Sequence, residues 1–460
     1  MRYIITTMTF FTIFLSGIYF LAAEGMPLMG LSNFTVLINA EPVISNGSEA
    51  GDGPPIDFQN PILKDPQLKV EKVVDGLDFS TSMAFLDSND IIVLEKKKGT
   101  VQLIVNGTIA DEPLLDMPVN YFGGRGMLGV AVSDDNKSRP TYVFLYLTLS
   151  STGNDIYNLT GESGNHLYRY EFKNNTLDNP TILLNVPAVS SKMDGGHNGG
   201  KLLIGPDQNL YLIVGDLREH RTKAQNNLTG PPPDGTSVIY RITQDGKPVP
   251  DNPFGDDPTV SKFYAYGIRN SFGMDFDPLT GKLWDTENGP DYGDEINLVE
   301  SGFNSGWKRQ QGFSVNSRYP DDFVYIGENG TKGKYSDPEF VWKIPVAPTA
   351  LKFLTSDKLG PEYKNDIFVG DSNTGSIYHF DLDKNRTNLA IYTPLADKIA
   401  DNLEELERII FGQQFGRVTD LTIGPDGYLY ILTNDLNLKG AIFRIIPAAS
   451  GIPENNLSPN

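Results

Sequence analysis

IGPDQNLYLIVGD, residues 204–216, returns as IGPDGYLYILTND at residues 423–435. Each copy is a Gly-Pro-Asp turn, then a short apolar run suited to a strand, then a polar loop. The unit recurs more loosely as FLDSNDIIVLEKKKGTVQLI from Phe85, VAVSDDNKSRPTYVFLYLT from Val130, FDPLTGKLWDTENG from Phe276 and YKNDIFVGDSNTGSIYHF from Tyr363. Successive starts are separated by roughly 68 residues on average, longer than the ~40–50 of compact propeller repeats and compatible with long insertions. The pattern predicts an all-β protein, a six-bladed β-propeller with long inter-strand insertions. A β-sandwich array would not explain why the polar loops recur at the same place after each unit. In a propeller those loops converge at one end of a central channel, where distant segments can build one site.

Composition agrees with a turn-rich β protein: the 460 residues include 46 Gly, 31 Pro, 21 Tyr and 25 Phe. The net charge of −20 makes the surface repel nucleic acid and anionic membranes, so no nucleic-acid partner is expected. The chain has no cysteine, which excludes disulfides, thiolate metal sites and cysteine nucleophiles.

Met1-Arg2 precede a mostly apolar stretch, Tyr3 to Ala23, that reads as an export segment, either a signal peptide or a retained N-terminal membrane anchor. Residues 24–66, rich in Gly, Pro, Ser and acidic side chains, read as a flexible linker. Residues 67–448 hold the propeller, and 449–460 read as a disordered tail. Sequons at Asn33, Asn46, Asn106, Asn136, Asn158, Asn174, Asn227, Asn329, Asn385 and Asn456 fit a glycosylated extracellular or cell-surface protein.

Chemistry-bearing residues concentrate in the run YAYGIRNSFGMDFDPLTGKLWDTENGPDYGDEINLVESGFNSGW, residues 264–307. Arg269 and Asn270 follow a strand-like segment, and a guanidinium at a strand end suits an anionic or carbonyl-bearing ligand. Glu287 to Glu295 form an acidic, turn-rich loop whose backbone carbonyls suit a hard cation such as Ca²⁺; a solvated turn is the plain alternative. His197, one of four histidines, sits in the Gly-rich MDGGHNGG loop immediately before a strand. An imidazole there is placed to take a proton from a substrate hydroxyl, or else is a surface histidine in a loop.

These segments, taken in order, resemble the soluble quinoprotein glucose/sorbosone dehydrogenases, including the aldose sugar dehydrogenases. The specific parts are HNGGKL, YGIRNSFGMDFDPLTGKLW, ENGPDYGDEINL, FNSGW and GRVTDLTIGPDGYLY, with GRGMLGVAVS from Gly124 similar to the family's strand entry; the resemblance spans roughly Leu68 to Pro447. It implies an exported, calcium-dependent pyrroloquinoline quinone (PQQ) enzyme that oxidises the C1 hydroxyl of an aldose to a lactone and passes electrons to an unidentified acceptor. His197 would be the base that takes the hydroxyl proton as hydride leaves C1 for the quinone, and Arg269 would polarise the quinone oxygen. Asn270, Asn288, Asn373 and Arg417 would complete the cofactor contacts. The carbonyls of Gly289 and Pro290 would ligate the bridging calcium, and Glu295 matches a position tied to a second, structural calcium.

The chain departs from glucose-oxidising members at Gly124, where a Gln or Glu approaches the quinone, at Asn373, where a Lys stands, and at Thr419, where a second Arg stands. Gly196 replaces an Asp that contacts sugar. A second reading follows from these departures: a non-catalytic cell-surface carbohydrate- or protein-binding propeller that retains calcium. A metal-dependent lactonase fits less well, because such sites gather side-chain carboxylates and amides at the channel.

Overall fold

In the Gly-Pro-Asp hairpins the turn is locked by its own aspartate. Asp207 Oδ1 accepts the Asn209 amide and Asp426 Oδ1 accepts that of Tyr428, while Tyr211 and Tyr430 return their hydroxyls to the same two carboxylates. These bonds belong to a computed structural model that describes residues 60–133, 141–188, 195–218, 221–314, 323–327 and 333–448. The expected export segment and C-terminal tail lie outside the described residues.

Strands dominate, and they form six sheets. Each of the six repeat units contributes a strand to a different sheet, so the recurring turn-strand signal marks one sheet each time. The strands Ser80–Phe85, Met127–Val132, Leu202–Ile204, Gly273–Phe276, Pro348–Phe353 and Arg417–Ile423 each begin a sheet. They contact one another in that cyclic order, the last returning to the first. The result is an all-β propeller fold whose only α-helix among the described residues is Leu403–Ile409.

The two ends of the described chain pair with each other: Leu68–Asp78 runs antiparallel to Lys439–Pro447, so the earliest long strand completes the last sheet. Ile62–Leu63 also pair, with Gln413 and Gly412, and Leu63 packs on the core. Order therefore begins before residue 66, where the linker was drawn. The apolar pair Ile62–Leu63 is what a polar, Gly/Pro-rich reading of that stretch passed over.

Between neighbouring sheets the cores are aromatic and aliphatic. Phe144 and Tyr146 meet Leu212, Val214 and Tyr240 at one interface, while Trp284, Phe340 and Trp342 meet Phe353 and Phe380 at another. Full burial of one such side chain contributes about 1.5–3 kcal/mol, so each interface strongly favours closure of the ring. Toward the axis the contacts become polar. Asp420 accepts Ser82 Oγ (2.9 Å), Met83 N (3.0 Å) and Lys201 Nζ (2.6 Å), tying together three innermost segments.

Candidate active site

The His197 loop, the Asp216 corner and the Arg269 corner interlock through their backbones. Leu217 N donates to His197 O and Asp216 N donates to Arg269 O (2.9 Å), while Gly200 N donates to Ile213 O. Gly215 permits this approach, because a Cβ there would stand 2.4 Å from His197 O and 3.0 Å from Arg269 O. His197 itself has φ of +58°, a left-handed conformation uncommon for a residue with a side chain and held here by these contacts.

The imidazole is buried, and its Nδ1 lies 2.5 Å from Asp216 Oδ1. Asp216 is fully engaged as an acceptor: Arg218 N donates to Oδ1 (2.7 Å) and Trp307 Nε1 to Oδ2 (2.6 Å). A carboxylate fixed by two other donors turns its acceptor oxygen to the imidazole and favours the ring proton on Nδ1, which leaves Nε2 as an acceptor. Burial lowers the proton affinity of His197, Asp216 opposes that effect, and the Arg269 and Arg218 guanidiniums add to it. A neutral imidazole oriented by a carboxylate is a competent general base.

Arg269 stands beside it. Its backbone N donates to Glu287 Oε1 (2.7 Å), one guanidinium nitrogen donates to Asn288 O (2.7 Å), and its Nε–H has no acceptor among the described residues. The guanidinium lies over the Trp307 ring at 5.2 Å, and no described carboxylate forms an ion pair with it. Asn270 is fixed from both sides: its Oδ1 accepts Gly199 N (3.3 Å) and its carbonyl accepts Asn288 N (2.9 Å). Asn288 in turn donates its amide to Pro348 O (3.0 Å). The structure thus brings His197, Arg269, Asn270 and Asn288 into one network.

Gly289 and Pro290 follow Asn288 in the turn after the strand Leu283–Glu287, and neither carbonyl accepts a hydrogen bond from any described residue. The turn is held from beneath by Asp294, which accepts Gly289 N (2.8 Å), Val346 N and Ala347 N (both 2.7 Å). Free carbonyls on an anchored turn are hard oxygen donors available to a cation.

Glu295 lies apart from that turn, within the strand Asp294–Val299. It is directly opposite Glu287, and Asp285 is directly opposite Asn297 on the same face. All four are buried, and neither Asp285 oxygen forms a hydrogen bond of normal geometry with the described residues. Glu295 accepts Gly312 N (2.5 Å) and Gln311 Nε2 (3.0 Å), while Asn297 directs its amide to Glu295 at 3.5 Å. Burial pushes Asp285 up to about 7 and Glu295 up to about 8, and burial with the neighbouring carboxylates raises Glu287 well above its ordinary range. Three neighbouring carboxylates buried together demand either protons or a cation.

A cavity opens at the axis, its walls including Lys96, Gly124, Gly199, Lys201, Arg417 and Thr419. Arg417 begins its strand at this wall. Asn373 is half-buried and gives its amide to Pro345 O (3.2 Å), while its neighbour Ser372 lines the cavity. A Cβ at Gly196 would meet Arg218 Nε at 2.7 Å, so an aspartate there would require the Arg218 side chain to shift.

The sequence reading missed Asp216, Trp307 and Lys96. Asp216 closes the IVGD of the repeat unit, but the same ending at Asp371 serves only its own turn, accepting Thr374 N, Gly375 N and Tyr378 Oη. No local signal separates the two.

A family model described as Glucose / Sorbosone dehydrogenase matches residues 77–444. An aldose sugar dehydrogenase of Escherichia coli K12 is 26% identical over 387 residues, covering 83% of this chain and 93% of that protein. The quinoprotein glucose dehydrogenase B of Acinetobacter calcoaceticus is 29% identical over 263 residues, 54% of each chain. Among solved structures, an oxidoreductase of glucose dehydrogenase type from Thermus thermophilus superposes with a TM-score of 0.62 at 25% identity, covering 82% of this chain and 100% of that one. The PQQ-bound aldose sugar dehydrogenase of Streptomyces coelicolor superposes with a TM-score of 0.59 at 22% identity, covering 84% and 99%.

Proposed function

The chain belongs to the glucose/sorbosone dehydrogenase family, and on that premise we propose that it is an exported, PQQ- and calcium-dependent aldose dehydrogenase. It oxidises the C1 hydroxyl of an aldose to the lactone and is re-oxidised by an external acceptor. We read each of the six sheets as one blade. The observation that carries the chemistry is the 2.5 Å His197–Asp216 pair beside an Arg269 guanidinium with a spare donor.

The residues present fit the cofactor and the metal. Arg269 offers an unpartnered N–H to an anionic or carbonyl oxygen, Arg417 lines the cavity, and Asn270 and Asn288 hold the wall in place. The Gly289 and Pro290 carbonyls would hold one Ca²⁺, and Glu295 with Glu287 and Asp285 would hold a structural one. Bound PQQ would supply the two-electron acceptor for hydride. His197 Nε2 accepts the substrate hydroxyl proton, and Asp216 stabilises the imidazolium so formed.

Export is supported by the apolar N-terminal stretch and by the described sequons, of which Asn106, Asn158, Asn174 and Asn385 are exposed and Asn227 half-buried. The N-terminal segment serves as signal peptide or membrane tether. Protein reconstituted with PQQ and Ca²⁺ is expected to reduce an artificial dye with aldoses, and His197→Ala to abolish this; a fully active alanine variant would sink the mechanism.

A second reading, a binding propeller without redox chemistry, is favoured by Gly124, by Thr419 and by the Asn373 amide bound to Pro345 O. Calorimetry showing no PQQ binding alongside retained stabilisation by Ca²⁺ would select it.

A further inference from the structure

Lys96 is the basic group in the central cavity for which the site described so far has no use. It follows the strand Asp90–Glu95, is only 6% exposed, and lines the same cavity as Gly124 and Arg417. Its stem fits because residue 126 is glycine: a Cβ there would meet Lys96 Cγ at 2.8 Å and Lys96 O at 2.5 Å. That fit carries the ammonium to Gly123 O at 2.7 Å, on the loop whose next residue, Gly124, donates its N–H to Gly195 O in the His197 loop. The ammonium also lies 4.7 Å from the Phe79 ring centre. No described carboxylate pairs with it.

A buried ammonium held by one carbonyl and one ring has donor capacity to spare, and its residue lines the cavity. The surrounding charges do not complete it. Lys97 repels it, and Glu95 is occupied by Asp78 N, Thr100 Oγ1 and Lys98 Nζ. Arg125 on the adjoining loop is directed to Leu159 O, Glu162 and Ala188 O. Across the cavity Lys201 is matched by Asp420 at 2.6 Å, which leaves the Lys96 ammonium without a counter-charge among the described residues. The space beside Lys96 therefore favours an anionic occupant.

We infer that Lys96 is a cofactor-binding residue of this chain, its ammonium pairing with a carboxylate of PQQ from the side of the cavity where Gly124 presents no side chain. This rests on the quinoprotein reading above. It explains how a chain with Gly124, Asn373 and Thr419 retains enough cationic contacts for a polycarboxylate: the charge comes from a different strand end. Burial, then Lys97, lowers the Lys96 ammonium to about 7 in the empty protein, so a bound carboxylate must recruit or retain its proton above that pH.

The test is calorimetric titration of the full chain with PQQ at saturating Ca²⁺ from pH 6 to pH 9. Wild-type affinity is expected to fall as pH rises above about 7, approaching tenfold per pH unit, because binding then requires proton uptake. Lys96→Met is expected to bind roughly 10- to 100-fold more weakly at pH 6 and to lose this dependence. Lys96→Arg, charged throughout the range, should keep most of the affinity and also lose the dependence. Equal binding by wild type and Lys96→Met, or a wild-type pH profile no steeper than that of Lys96→Arg, overturns the inference while leaving the quinoprotein reading intact. Failure of the wild type to bind PQQ at all overturns both. Comparison of wild type with Lys96→Arg decides the matter even if the methionine variant does not fold.

Discussion

Leu210–Val214 and Leu283–Glu287 occupy the same second position in neighbouring sheets, yet they deliver their carboxylates into opposite surroundings. Asp216, just past the first strand, receives three donors. Asp285, inside the second, receives none. The first carboxylate is fixed in place by its donors and can orient a base; the second is pushed toward its neutral form unless a cation arrives. Carboxylates from corresponding strands of neighbouring sheets thus take different roles because their surroundings come from elsewhere in the chain, Trp307 beside Asp216 and the strand Asp294–Val299 beside Asp285.

The contrast is open to direct attack. The largest effect is expected for Asp216→Asn, which removes the anion that sets the His197 tautomer: kcat should fall by about 10²- to 10⁴-fold with secondary structure unchanged. Because Asp216 raises the His197 pKa against burial, any residual activity should keep its acid limb at a lower pH than wild type, read from kcat/KM profiles. In the wild type that limb already lies below the ordinary histidine range, since lowered proton affinity keeps the base neutral at more acidic pH.

Next comes Gly215→Ala. The added Cβ pushes against His197 O and Arg269 O, and a displacement approaching 1 Å in the base is expected to lower kcat by about 10- to 100-fold. Moving to the acidic side, chelation should lower the melting temperature by a few degrees, and Glu295→Gln should remove most of the calcium-dependent part while leaving PQQ binding at the mouth intact. The smallest effect is assigned to Asp285→Asn: in chelator at neutral pH it should stabilise the protein by about 1 kcal/mol, since it relieves a buried and unpartnered carboxylate. Destabilisation by Asp285→Asn in chelator would show that this carboxylate is satisfied without a cation.

Much of this was legible in the chain. Gly-Pro-Asp turns followed by apolar runs announced one strand pair per repeat, because an aspartate that caps its own turn acts over a few residues. His197, Arg269 and the Gly289-Pro290 turn stood out by residue type and by glycine context. Lys96 did not. It lies in EKKKG beside two other lysines, and nothing local tells the buried one, at 6% exposure, from its exposed neighbour Lys98. The pairing of Leu68–Asp78 with Lys439–Pro447 was equally hidden, since it joins segments from opposite ends of the chain.

By itself the sequence determined the local units: which stretches turn, which extend, and which loops carry a base, a guanidinium or free carbonyls. Those properties depend on dihedral preference and side-chain chemistry over a few residues. Only the tertiary structure decided which carboxylate meets His197, which is left without donors, and which lysine is stripped of water at the cavity wall. Those outcomes depend on desolvation and on partners brought in from other blades, and neither is a property of a short segment.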